Sequence, residues 1–89
     1  MKNQIFKVID KKNEIYINSF IAIDEKIAIE QIKNDIKKTK YLYDNTKDIN
    51  QKAQINIWFN LAKDYELLNE NNKTLLKYSS LIEIKEDKK

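Results

Sequence analysis

Glycine, proline, cysteine and histidine are absent from this 89-residue chain, and all 17 of its basic residues are lysine, so arginine is absent as well. Without Gly there is no phosphate-cradling loop, and without His or Cys the commonest general bases, thiol nucleophiles and zinc ligands are missing. Zero Cys also removes any disulfide framework and is consistent with the cytosol. Lysine is a point charge without the bidentate fork of arginine, so base-edge readout of guanine in its favoured geometry is disfavoured. Abundant Lys, Ile and Asn beside absent Gly, Pro and Arg is also what an AT-rich genome encodes, so no single absence reports on function by itself.

Long apolar runs are missing too. The longest is Phe20-Ile21-Ala22-Ile23, far short of the roughly 20 residues of a membrane span, and residues 1–12 carry charges where a signal peptide would be apolar. The chain is expected to be soluble, to have no membrane partner and to stay in the cytoplasm.

What is present is enough for one small domain. Hydrophobic residues make up 42% and charged residues of both signs 35%, which suits a modest core under a solvated surface rather than a disordered chain. Fifteen of the apolar residues are Ile, which favours pleated, half-buried surfaces. The net charge of +3 with a pI near 9.0 gives only weak attraction to phosphate or anionic surfaces.

Residues 4–9 are β-branched and aromatic and end in the turn-forming Asp10-Lys11-Lys12-Asn13, so they read as a strand. Asp10 or Asn13 is expected to take any left-handed turn conformation, since Asn and Asp tolerate positive φ best among non-Gly residues. A second strand over 14–23 begins with Ile15 and Ile17 on one face and Tyr16 and Asn18 on the other. Asp24 sits as an N-cap, and Ala28, Ile29, Ile32 and Ile36 form one stripe of a helix over 24–38, closed by Lys37 and Lys38 at the negative end of its dipole. Residues 44–54 read as a polar loop.

The segment 55–68 carries two patterns. Ile55, Ile57, Phe59 and Leu61 alternate with polar or small neighbours as in a strand, while Trp58, Leu61, Ala62, Tyr65 and Leu68 fall at helical spacing. The β-branched and aromatic start favours a strand through Leu61, opening a C-terminal hairpin over about 55–78 that turns at 69–73. Leu81 to Ile84 is a further strand candidate, and 83–89 is a charged tail. The fold expected is α+β: a small antiparallel sheet of three to four strands with one amphipathic helix packed on one face.

Catalysis would have to rely on Asp, Glu, Lys, Tyr, Ser and Thr. The acids lie scattered among lysines, as in Asp24-Glu25-Lys26 and in Asp35 beside Lys37, which suits solvated charge and helix-end placement. Asp44-Asn45-Thr46-Lys47-Asp48 lacks the Gly and closing Glu of a calcium loop. No catalytic residue, metal site or cofactor is expected. Nucleic-acid binding is better motivated, because Lys37, Lys38 and Lys40 precede Tyr41 and Tyr43. A strand over 55–61 would also set Trp58 outward, on an open sheet face with Lys7, Tyr16 and Asn18. Lysines tracking phosphates beside aromatics that stack on bases make a sequence-tolerant single-strand binder. The same aromatics also suit a core edge, a homodimer interface or a docking site for another protein.

The opening Ile5-Phe6-Lys7-Val8-Ile9-Asp10-Lys11-Lys12, then Tyr16, Ser19-Phe20, Asp24 and Ala28-Ile29, resembles the small nonstructural protein of gokushovirus-type microviruses. Trp58-Phe59-Asn60-Leu61-Ala62 with Tyr65 and the 69–73 turn is similar to that family's later strand and hairpin turn. Ser19 stands where the family has Pro, Ala62 where it has Gly, and the turn lacks its Gly. The resemblance implies a phage protein of the host bacterial cytoplasm, acting on single-stranded DNA in genome synthesis or packaging, with 55–61 as a strand. In that reading Lys37, Lys38 and Lys40 neutralise phosphates and Tyr41, Tyr43 and Trp58 stack. The alternative is a small interaction module, such as a phage inhibitor of host defence or an antitoxin-like binder, whose partner is a host or phage protein.

Overall fold

The computed structural model describes residues 3–82 and is α+β. Strands β1 (Gln4–Asp10) and β2 (Ile15–Ala22) form the first hairpin. Helices α1 (Glu25–Asn45) and α2 (Ile49–Ala62) follow, and β3 (Tyr65–Leu68) with β4 (Thr74–Lys77) makes the second hairpin before a 3-10 turn, Tyr78–Ser80. The four strands are all antiparallel in the order β2-β1-β3-β4, so β1 and β3 are the inner pair.

Pairing fixes the two faces. Phe6 lies opposite Phe20, and Val8 lies between Asn18 on β2 and Leu67 on β3. Phe6, Val8 and Leu67 are buried with Ala28, Ile32 and Ile36 of α1, so α1 covers this face. On the other face Ile5 pairs with Ile21 and Lys7 with Ser19, and no helix packs there. Phe6 and Phe20 stack with ring centroids 5.9 Å apart at the centre of the covered side.

The β1–β2 turn is built on Asp10, whose carboxylate accepts from the backbone N–H groups of Lys12 (3.0 Å) and Asn13 (3.2 Å) and from the Asn13 side chain (3.0 Å). The Asn13 side chain above all, with those two amides, holds the Asp10 carboxyl below its ordinary value against a smaller opposing effect of burial. Because Asp10 and Asn13 are spent on this network, the left-handed residue is Glu14, at φ 56°. The 69–73 turn is solved the same way without glycine. Asn69 Oδ1 accepts from the N–H groups of Asn71 (2.9 Å) and Lys73 (3.0 Å), and Asn72 takes φ 64°.

β2 is also not a plain alternation. Val8 pairs with Asn18 but Ile9 pairs with Tyr16, leaving Ile17 as an extra residue. This bulge separates Tyr16 and Asn18, which simple alternation places together: Tyr16 joins the open face opposite Ile9, and Asn18 the covered face opposite Val8.

From Lys38 onward the structure corrects several expectations. Asp24 caps α1 as expected, accepting from Ile27 N–H at 2.8 Å, but the helix runs past Lys38 to Asn45. No Gly or Pro stands there to stop it, and Tyr43 continues the Ile32–Ile36 stripe. The polar loop shrinks to 46–48, where Asp48 caps α2 by accepting from Asn50 and Gln51 N–H at 2.9 and 3.3 Å. Residues 55–61 are helix, not strand, because Ile55, Trp58, Phe59 and Ala62, spaced i, i+3, i+4, i+7, turn to one side, where Trp58, Phe59 and Ala62 pack on the core. The C-terminal hairpin is therefore only β3 and β4, and the sheet is joined by two helices rather than one. Leu81 and Ile82 are not in a strand, and 83–89 lies outside the described residues.

No residue of α1 after Ile36 is buried, so the distal part of the helical pair stands clear of the sheet. The chain measures 46 × 25 × 20 Å with a radius of gyration of 14.3 Å, against about 12 Å for a compact domain of this length. No helix among the described residues is long and apolar enough to cross a membrane.

Phe6→Ala is expected to lower unfolding free energy in urea by about 3–5 kcal/mol, the usual effect of emptying a buried aromatic site. Ile5→Ala, one residue along but on the open face, should shift it by no more than about 0.5 kcal/mol.

Candidate functional site

The residues singled out for binding divide between two helices. Around α1, Lys37 and Lys38 lie on either side of Tyr41 on the face opposite the Ile32–Ile36 stripe, and with Leu42 they line a shallow depression of about 580 Å³. Tyr41 is 67% exposed. Between Lys33 and Lys47 there are five lysines and two aspartates, so this stretch alone carries an excess equal to that of the whole chain. Lys40 is exposed but turns towards the edge that Tyr43 occupies, about 100° of helix rotation from Tyr41.

Tyr43 and Trp58 are not free. The Tyr43 ring lies 6.3 Å from Phe59 of α2 in an edge-on contact, and the Lys52 ammonium sits 5.2 Å from its centroid. Trp58 is on a helix, not on the outward face of a strand. It is half-buried 5.4 Å from Phe59 and lines a groove of about 490 Å³ with Ile32, Asp35, Tyr65 and Tyr78. Of the three stacking candidates, Tyr41 alone is exposed, and it stands between Lys37 and Lys38. The open sheet face keeps Lys7 and Tyr16 but loses Trp58 and Asn18 to the other side.

The feature that sequence reasoning missed is the outer side of α2. Ile49, Ala53, Ile57 and Leu61 follow one another at i, i+4, i+8 and i+12 and form a continuous ridge. Ile49 is 81%, Ile57 59% and Leu61 53% exposed. The flanking positions are Asn50, Gln54, Asn56 and Asn60, and Lys52 is the only charge in the helix. The spacing is visible in the sequence, but only once 49–62 is read as a helix.

Inside the groove the two phenols interact edge-on, Tyr65 to Tyr78 at 5.5 Å. Burial first, then the negative charge of Asp35 and the neighbouring Tyr65, push Tyr78 up to about 12, and burial raises Tyr65 in the same direction. A phenol whose folded value lies above its ordinary 10.0 supports the fold fully below that pH and loses this support as pH rises towards 12. In a 295 nm titration Tyr78 should therefore give an ionisation step displaced towards pH 12. Tyr78→Phe is expected to remove that step and to flatten the fall in stability across the window.

Comparison of the chain with protein-family models, with curated proteins and with solved structures returned no match.

Proposed function

We propose that this chain is a small protein-interaction module that lays α2 into an apolar groove of a partner protein. One observation carries the reading: the uncharged ridge Ile49, Ala53, Ile57 and Leu61, exposed on a helix whose opposite side is already packed. A helix apolar on both sides normally has both sides covered, and anchors at i, i+4 and i+8 are the pattern by which a helix is held in a groove. Fully burying an Ile or Leu stabilises by roughly 1.5–3 kcal/mol. Completing the burial of three such anchors supplies on the order of the roughly 4 kcal/mol that separates millimolar from micromolar binding. The amide flanks call for a groove with an uncharged, hydrogen-bonding rim.

Ile57→Asp with Leu61→Asp tests this. Melting should stay unchanged within about 0.5 kcal/mol, as for surface positions. A stoichiometric partner captured from nuclease-treated host lysate should be lost with this variant and kept with Lys37→Ala/Lys38→Ala. A drop in stability of several kcal/mol, or a partner retained by the aspartate variant, overturns the reading.

A second reading keeps the DNA-associated role that the microvirus resemblance implies. It is supported by the placing of Lys37 and Lys38 on either side of exposed Tyr41, a minimal unit of two phosphate contacts and one stacking ring. Labelled single-stranded DNA should then bind at low salt, with an affinity that falls as salt rises with a log–log slope of about −0.7 per phosphate neutralised. Lys37→Ala, Lys38→Ala and Tyr41→Ala together should abolish it, and Trp58→Ala should not. Binding that survives the triple variant, or that is absent at low salt, removes this reading.

A further inference from the structure

We infer that β2 is a pairing edge and that two copies of this chain join along it, antiparallel and two-fold symmetric, into one continuous eight-stranded sheet. The two edges of the sheet differ. β4 has four residues, ends in Lys77 and carries a register shift, whereas β2 has eight residues with no charge and no proline. Charge, proline, shortness and a bulge are the usual means by which an edge strand is kept from pairing; β4 combines shortness, a charge and a register shift, whereas β2 has the bulge at Ile17 alone.

That bulge makes the strand self-complementary. A two-fold axis perpendicular to a sheet pairs residue i with j and j with i, so both must lie on the same face. Tyr16 and Ile21 are five apart and would fall on opposite faces of a regular strand. With Ile17 extruded, Tyr16 lies opposite Ile9, Ser19 opposite Lys7 and Ile21 opposite Ile5, all on the open face. An axis through Ser19 then sets Ser19 against its own copy, Tyr16 against Ile21 and Ile21 against Tyr16. Tyr16 is 59% and Ile21 61% exposed in the single chain, and an aromatic facing a β-branched residue is a favourable cross-strand pair.

Charge at the two ends agrees with this occupant. Before β2 the exposed Lys11, Lys12 and Glu14 surround the buried Asp10 carboxylate, a sum of zero, and the segment after it, Asp24-Glu25-Lys26, carries a net −1. Antiparallel pairing brings the two exposed lysines of each copy beside the acidic end of the other, and a parallel arrangement would set acidic end beside acidic end. A second copy therefore satisfies the open backbone, the exposed side chains and the charge together.

The register is tested by charge exchange on the full chain in sedimentation-velocity runs over a concentration series. Wild type should show a concentration-dependent dimer. Tyr16→Lys with Ile21→Lys sets two pairs of introduced lysines against each other and should weaken the dimer by about tenfold or more. Tyr16→Glu with Ile21→Lys sets introduced glutamate against introduced lysine in both pairs and should restore it. At concentrations where each is monomeric the three proteins should melt alike, since both sites are exposed, and the added stability of the dimeric state should grow with concentration. Ile57→Asp/Leu61→Asp should leave the dimer intact, which separates this edge from the α2 ridge. A monomer at every concentration, a dimer indifferent to the double-lysine variant, or a dimer lost with the α2 variant overturns the inference.

Discussion

The pairing of β1 with β3 is the interaction on which the rest of this chain depends. It joins two hairpins that lie at opposite ends of the sequence, setting Lys7 against Leu68 and Val8 against Leu67, and it makes the inner half of a four-stranded sheet. Only with that pairing do Phe6, Val8 and Leu67 come together on one face broad enough for α1 to cover. Everything between the two hairpins has to leave the sheet and return within the span of the pairing. The helical pair does this, leaving after β2 and re-entering at the contact of Lys11 N–H with the Asp64 carbonyl, 3.0 Å.

The cover is one helix deep, and this decides what remains outside. α1 spends its first three turns on the sheet and α2 packs mainly against α1 through Trp58, Phe59 and Ala62. With 42% of the sequence hydrophobic and so little interior to fill, apolar side chains are left over on the surface, among them those of the open sheet face with β2, the outer ridge of α2, and Tyr41 with Leu42 on distal α1. Scattered exposed apolar residues are ordinary in folded proteins, but contiguous ones on regular elements mark contact surfaces. The surfaces proposed for binding are in this sense a consequence of the architecture.

The parts of the fold that were legible in the sequence are those written locally. The first hairpin, the Asp24 cap, the Ile32–Ile36 stripe and the Asn-rich turn each depend on a few neighbouring residues. The clustering of Lys37, Lys38 and Tyr41 was legible for the same reason, since one turn of helix holds them. α2 was not legible because two apolar stripes on opposite sides of one helix interleave. Ile55 and Phe59 belong to the inner stripe and Ile57 and Leu61 to the outer one, and together they read as the strict alternation of a strand. An amphipathic period announces a helix only when one side is polar. Tyr43 and Trp58 were misplaced as stacking residues as a result, because their surroundings are set by how α1 and α2 meet. The missing Gly and Pro hid the end of α1 in turn, since lysines alone do not terminate a helix that still has apolar positions to bury.

Absent glycine also shapes the surface that β2 presents. Turns here are held by side chains, Asp10 at one and Asn69 at the other, with Glu14 and Asn72 taking the positive φ that glycine would adopt at no steric cost. A turn fixed by an acidic residue buried among amides is anchored in register, so β1 cannot slide against β2, and the mismatch between the two strands is absorbed within β2 as the bulge at Ile17. A bulge on an edge strand ordinarily discourages pairing by twisting the edge away. Here it also returns Tyr16 to the face that holds Ser19 and Ile21, the condition for Tyr16 of one copy to face Ile21 of the other about an axis through Ser19. The β2 edge, the α2 ridge and the Lys37–Tyr41 cluster share no residue, so an edge-paired dimer still presents both helical surfaces twice, and a partner engaging two copies gains from the linkage without any new contact.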